Sequence, residues 1–534
     1  MFTSLVVGDP PSASSSDYTI ITHGDQLEDL KPEALISPLG DYYMEWDELC
    51  LPPSKLEPWR HEGDDLCDSV VRALNLRPGQ DGLQILLDHL VLPKEKQAEC
   101  VITFWNQISK SPPEPLSAFL ESDDDATPSD AIRSCNRHLP PSVAAGQAVF
   151  WRYSAQILSA LMHFSLAAGF SAERIVGVLR ETNYLTGDAK DKTYRRLLET
   201  TQAIFDYMND LTPVTGVGWK STIRVRMLHS SVRVRLRDKK GLKNKYDEKV
   251  DGVPINQEDL LATLGSFAIA PLWSLRKSGI HLTEEEEAAY VAVWRHIGYY
   301  LGISPSRLAT HYTGPKIVNN ASKLFSCVTM HLFSFDLEFD DYRATSTYRI
   351  LASVAERPPR KTKIEKHLAI SRFLIGDKLA DKLLIPPTSR WIAAEMRVAR
   401  SIDWALFSFG QVYTQRWEVE RVTITKLLVT MIVCWQLGVK RTKFTIKTFG
   451  GDKSKPPPIE NGDSKVDITE EEEEKDNISP NADDDDLDAS VPMGPVAGKR
   501  IIRRWQWLLA EMAGVVLAPV GLALASTYWL FKGR

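Results

Sequence analysis

At 534 residues, with 43% hydrophobic and 25% charged side chains, the chain is long enough for a sizeable core and has a globular composition, so any disorder must be local. Its net charge of −6 is unevenly held: residues 470–488 carry eleven acidic side chains against Lys475, leaving the remainder at about +4, too weak a balance to recruit nucleic acid. The six cysteines are scattered, without a C-x-x-C pair or zinc spacing, and the first residues lack both a basic region and an apolar run long enough for a secretory signal, which argues against a secreted, disulfide-held protein.

Residues 1–140 read as an N-terminal extension. Its first 60 residues are rich in Pro, Ser and acids, and the cluster Asp41-Tyr-Tyr-Met-Glu-Trp46 marks a segment that docks rather than folds alone. Short helices follow at Val70-Val-Arg-Ala-Leu, Leu83-Gln-Ile-Leu-Leu and Cys100-Val-Ile-Thr-Phe-Trp, until Ser111-Pro-Pro-Glu-Pro breaks the run.

The main helical body spans 141–448. Gln147 to Phe170 predicts one long buried helix, 171–180 a second, and 192–208 a third that sets Arg196 and Thr200 four apart along its margin. The arginine-rich segment needs arbitration, because Ile223-Arg-Val-Arg and Val232-Arg-Val-Arg both alternate like strands. As one strand, Ile223, Val225, Met227 and His229 would share a face that Val232 and Val234 oppose. As a helix, Val225, Leu228, His229 and Val232 fall at i, i+3, i+4 and i+7, one apolar stripe, and the helix is preferred.

Beyond it, Gly252-Val-Pro-Ile-Asn-Gln-Glu-Asp-Leu introduces a helix through Phe267. Thr283 with Glu286 signs a capping box for another, whose apolar face holds Tyr290, Val293, Trp294, Ile297 and Leu301 and leaves His296 off it, exposed. Helical patterns continue over 317–335, 344–355, 364–374 and 391–409. Val422 to Val439 includes thirteen charge-free residues, short for a membrane span and expected as a buried core helix. Residues 449–498 are acidic and proline-bearing, a composition that cannot bury enough apolar area to order, and read as a disordered linker. Residues 499–534 read as a membrane anchor: Met512 to Phe531 is twenty residues without a charge, preceded by Lys499, Arg500, Arg503 and Arg504 and bracketed by Trp505, Trp507, Tyr528 and Trp529. The basic flank on the N-terminal side predicts a single-pass tail anchor with the body facing the cytosol; a helix that folds back onto the body is the other reading.

No nucleotide-binding glycine loop, nucleophile elbow or H-E-x-x-H zinc motif occurs. Among the eleven histidines, His163, His311 and His331 read as satisfied core residues. His229, inside an apolar stripe, is either a packed core residue or the ligand of a metal or cofactor. Arg226 and Arg233 border its face and suit either a solvated edge or the binding of carboxylates. Arg196 and Thr200 offer a cation and a hydroxyl to a reacting oxygen, although that spacing also suits a surface pair.

The ordered combination Arg196-x-x-x-Thr200, Asp206-Tyr-Met, Gly218, Val225-Arg-Met-Leu-His229-x-x-Val-Arg233, Gly252-x-Pro-x-Asn-Gln257 and Trp294-x-x-x-Gly298-x-x-x-Gly302 resembles the catalytic domain shared by rubber oxygenases and ER-bound oxygenases of the MpaB type, over roughly 141–445. The resemblance implies an all-α fold with a globin-like helical core that binds one haem b, flanked by the N-terminal helical extension, the acidic linker and the C-terminal transmembrane helix. It implies His229 as the iron ligand, Arg226 and Arg233 on the haem propionates, Arg196 and Thr200 on the oxygen side, and Glu181 near the position of a family acid. Its implied partners are dioxygen and a lipophilic small molecule, and its implied reaction is oxidative cleavage of an isoprenoid-like alkene at a membrane such as the endoplasmic reticulum. A monooxygenase that hydroxylates or epoxidises, or a non-catalytic helical scaffold, with or without haem, is the alternative. One departure stands out: the rubber-cleaving pattern has a lysine just before the distal threonine, and this chain has Glu199.

Overall fold

The computed structural model of the chain describes residues 18–37, 42–113, 141–169, 172–181, 190–238, 246–333, 341–438, 442, 444–446 and 495–532. These are mostly helical, as expected. A three-stranded sheet accompanies the helices: β1 (Thr19–Ile20) pairs parallel with β2 (Leu35–Ser37), which pairs antiparallel with β3 (Met44–Glu45). The aromatic cluster seats this sheet on the body. Tyr42 stacks on Trp273 with ring centroids 4.5 Å apart, and its hydroxyl donates to the Leu374 carbonyl at 2.8 Å.

Three helices of the extension follow: α1 (Asp65–Ala73), α2 (Gly82–Leu90) and α3 (Glu99–Ile108). Asp64 and Asp81 cap the first two by accepting from the Cys67 amide and from the Leu83 and Gln84 amides. Their apolar faces join one core that runs from Leu27, Val70 and Phe104 of the extension to Trp294 and Leu383 of the body.

The body begins with α4 (Pro141–Arg152) and α5 (Ser154–Ala160), followed by a π-helical turn at Leu161–Leu166. The single helix expected over 147–170 is therefore broken, at Tyr153 (φ −115°, ψ 19°). The break lets the chain follow two partners in turn: α4 lies along α11 (Glu284–Tyr300), while α5 lies along α10 (Ala270–Lys277). Gly146 makes the first contact possible, since a Cβ there would run into the Ala289 carbonyl and Val293.

Between these come α6 (Glu173–Glu181), α7 (Lys190–Tyr207), α8 (Val217–Asp238) and α9 (Gln257–Ala268). Helix α11 starts at the expected Thr283/Glu286 capping box but is buried on every side, with α4, α8, α9 and α12 (Ile317–Leu332) around it. His296, expected to be exposed, is consequently 2% exposed, and neither ring nitrogen has a partner among the described residues. Helices α13 (Ser346–Val354) and α14 (Ile364–Ile375) lead to the outer hairpin of α15 (Arg390–Val412) and α16 (Gln415–Gln436). Helix α16, expected deep in the core, is mostly half-buried, because it lies between the body and the last helix, α17 (Pro495–Lys532).

Helix α17 runs antiparallel to α16. Arg504 pairs with Glu420, the Trp417 indole donates to the Leu508 carbonyl at 3.3 Å, and the Tyr413 hydroxyl meets Glu511 at 3.2 Å. Ile501 and Leu508 close a separate apolar cluster with Phe409, Trp417 and Ile424. Among the described residues no helix is long and apolar enough to cross a membrane. The span expected over 512–531 falls largely on 519–531, whose side chains lie outside the described residues, and so does the expected linker up to residue 494.

Candidate functional site

Helices α7 and α8 form an antiparallel pair joined by a tight loop. Across its closed end the Ser221 hydroxyl donates to Asp206 at 2.6 Å, and the Gly218 amide donates to the Asp210 carbonyl at 2.7 Å. Equal rises along both helices set His229 at the level of Leu198, between Arg196 and Thr200. Of the expected residues, Arg196 and Thr200 stand on α7, and Arg226, His229 and Arg233 on α8.

His229 is half-buried, and its Nδ1 is buried without a partner among the described residues. Burial pushes its pKa down to about 4, with the Arg233 charge acting in the same direction and Asp64 opposing it. The imidazole is therefore neutral at physiological pH, the form that ligates a metal. A buried ring nitrogen without a partner sets His229 apart from a satisfied core histidine and leaves that nitrogen free to ligate.

On α7, Arg196 donates to Glu199 at 2.8 Å, and Arg195 lies 3.6 Å from the same carboxylate. Glu199 is 4% exposed, so this is a buried acid held by two guanidinium groups. The Thr200 hydroxyl donates to the Arg196 carbonyl at 3.1 Å, which leaves its oxygen lone pairs as acceptors. Glu181 is the half-buried last residue of α6. Val178, one turn before it, packs against Val232 and Leu236, which brings α6 to the side of α8 that carries His229.

Arg226 and Arg233 are placed differently from the expectation that they meet propionates. Arg226 is 3% exposed and grips Asp64 with two hydrogen bonds, 2.7 and 3.0 Å, while its guanidinium lies 4.9 Å from the Phe104 ring. Arg233, 1% exposed, lies 3.3 Å from Asp68, which also accepts from the Ser230 hydroxyl. Burial works to raise the Asp64 pKa, but the Arg226 charge and hydrogen bonds outweigh it and hold the carboxyl below its usual range. At Asp68 burial wins and the pKa is raised. Arg224 adds a bidentate grip on Asp81, 2.7 to 3.0 Å. Both guanidinium groups expected on the propionates are therefore directed to α1, because their helix positions face the extension.

The sequence reading did not identify these aspartates as partners of the arginines. Asp64, Asp68 and Asp81 fix the height and rotation of the helix that carries His229. Gly302 (φ +92°) completes the fit, since a Cβ there would collide with the Asp64 carboxylate and Arg226. The signal that could have found them is charge complementarity: acids four apart at 64 and 68 match cations seven apart at 226 and 233.

Residues 144–404 match the family model described as ER-bound oxygenase mpaB/B'/Rubber oxygenase, catalytic domain. Among solved structures the chain is similar to latex clearing protein LCP in the closed state, at 18% identity and a TM-score of 0.44, over 66% of this chain and 85% of that one. No curated protein matches the chain. The likeness to the ER-bound oxygenase mpaB/B' and rubber oxygenase catalytic domain thus covers residues 144–404, just under half of the chain.

Proposed function

We propose that this protein is a haem b-dependent oxygenase that acts with dioxygen on a lipophilic, isoprenoid-like alkene and cleaves its carbon–carbon double bond. The observation that carries the reading is His229, a neutral imidazole with an unpartnered Nδ1, at the level of Leu198 between Arg196 and Thr200 on the α7–α8 hairpin. Haem bound there supplies the iron and the oxygen chemistry. His229 would hold the iron. Arg196, its guanidinium steadied by Glu199, and the acceptor oxygen of Thr200 orient the polar end of the reaction, with Glu181 as a further acid approaching from α6. Arg226 and Arg233 act through α1, setting the position of the ligand helix.

The same reading places residues 512–531 in a membrane, that of the endoplasmic reticulum by the family's description, with the body on the cytosolic side. Twenty charge-free residues behind a basic flank support it.

The full chain purified after haem-supplemented expression should be red with a Soret band that shifts under carbon monoxide, and His229→Ala should lose it. Colourless wild-type protein would overturn the reading. Product mass then separates cleavage, which yields two carbonyl fragments, from monooxygenation, which adds one oxygen.

A further inference from the structure

A cavity of about 190 Å³ lies against α6, on a face adjoining the one that packs on α8. Its walls include Phe164 and Leu166 of the π-helical turn, Ile175 and Leu179 of α6, Ala262 of α9 and Leu332 of α12. The residues of α6 divide between two neighbourhoods: Ile175 and Leu179 face this cavity, whereas Val178 packs on α8. From this geometry we propose that the cavity is a binding site for a hydrocarbon chain, distinct from the His229 site.

The chemistry of the wall selects the ligand. Four hydroxyls reach it, and each is committed to a backbone carbonyl: Ser165 to Ser266 at 2.6 Å, Thr263 to Asp259 at 2.8 Å, Ser266 to Thr263 at 2.7 Å and Thr329 to Phe325 at 2.7 Å. Among the described residues no ionisable side chain lines the cavity. A bound water needs two to four polar partners, and this wall gives it no free donor. An enclosed apolar cavity of roughly 150 Å³ is known to accept benzene; this one is of similar size but partly open, and has room for a hydrocarbon segment about as large as that ring.

The backbone points the same way. The wall is partly built from a π-helical turn, a rare conformation that concentrates at functional sites. That turn directs Phe164, Ser165 and Leu166 to the cavity while His163 hydrogen-bonds His367 on α14 at 2.9 Å. A fold that minimised voids would close the space with a regular turn and larger side chains than Ala168 and Ala262.

The test is a calorimetric titration of the full chain with n-butylbenzene. One saturable site per chain is expected, with affinity reduced at least tenfold in Ala262→Phe and in Leu166→Trp, each of which fills the space. Binding unchanged in His229→Ala separates this site from the haem reading, so either can fail without the other. Myrcene and n-decane, an isoprenoid and an acyl-like hydrocarbon, should compete, and the tighter competitor names the source of the chain. Absence of saturable binding up to the solubility limit overturns the proposal, as does binding undiminished in both folded variants. Should a variant not fold, xenon-pressurised crystals of the wild type decide: density between Phe164 and Leu332 supports the site, and density only elsewhere overturns it.

Discussion

Asp64 and Arg226 share two hydrogen bonds, 2.7 and 3.0 Å long, and through them the N-terminal extension holds the helix that carries His229. Both groups are almost fully buried, so the pair cannot be broken from one side without leaving a charge uncompensated. Asp64→Asn should therefore cost about 3–5 kcal/mol of stability. Arg226→Met should cost a similar amount, while the double variant Asp64→Asn/Arg226→Met should recover much of the loss. Urea denaturation of the four proteins checks it: additive losses would show that the pair is not coupled.

How far the sequence discloses the site follows from what each residue answers to. His229, Val225 and Val232 answer to helical periodicity, a local rule, and α8 forms as that rule requires. Arg226 and Arg233 answer to partners some 160 residues away, and no periodicity names those partners. His296 misleads for the related reason that a helix surrounded on all sides has no solvent face, however amphipathic its pattern. The break at Tyr153 is likewise decided by the demands of α10 and α11, since neither Gly nor Pro marks it.

Glu199 invites a direct exchange, because the rubber-cleaving pattern has a lysine at this position. Glu199→Lys would remove the acid that holds Arg195 and Arg196 and bury a third cation beside them. The expected result is a destabilisation of about 3–5 kcal/mol rather than a gain of rubber-cleaving activity. Glu199→Gln, which keeps an acceptor for Arg196, should lose roughly half as much. Thermal unfolding of both variants provides the measurement, and a Glu199→Lys protein as stable as wild type would mean that the surroundings of this residue differ from those described.

Acid should weaken the fold well above the carboxylate range. Burial pushes the pKa of His163 and His296 down to about 3 and that of His311 to about 4, from an ordinary 6.5. These imidazoles are neutral in the fold, whereas the unfolded chain takes up their protons below pH 6.5. Their contribution is thus complete above pH 6.5 and is lost as the pH falls toward 4, at about 1.4 kcal/mol per pH unit for each. Asp259 opposes them, since burial raises its pKa to about 7 and its protonated form favours the fold over the same window. With His229, whose pKa is also pushed down to about 4, the lowered imidazoles outnumber the raised carboxyls of Asp259 and Asp68 and leave a net loss. Denaturation midpoints at pH 7, 6 and 5 should fall in that order, and His296→Phe should make the slope shallower.

The docked half of α17 should matter to solubility separately from the apolar half. Up to Glu511 the helix is tied to the body by Arg504 with Glu420, Trp417 with the Leu508 carbonyl and Tyr413 with Glu511. A chain ending at residue 494 would uncover Phe409, Trp417 and Ile424, and is expected to aggregate and to unfold several degrees lower. A chain ending at Met512 keeps that cover and loses only the charge-free run, so it should stay in the supernatant with wild-type thermal stability while the full chain sediments with membranes. If the chain ending at Met512 sediments as the full chain does, residues 513–531 are not what holds the protein at a membrane; if the chain ending at 494 is as stable as it, the α16–α17 contact carries no stability.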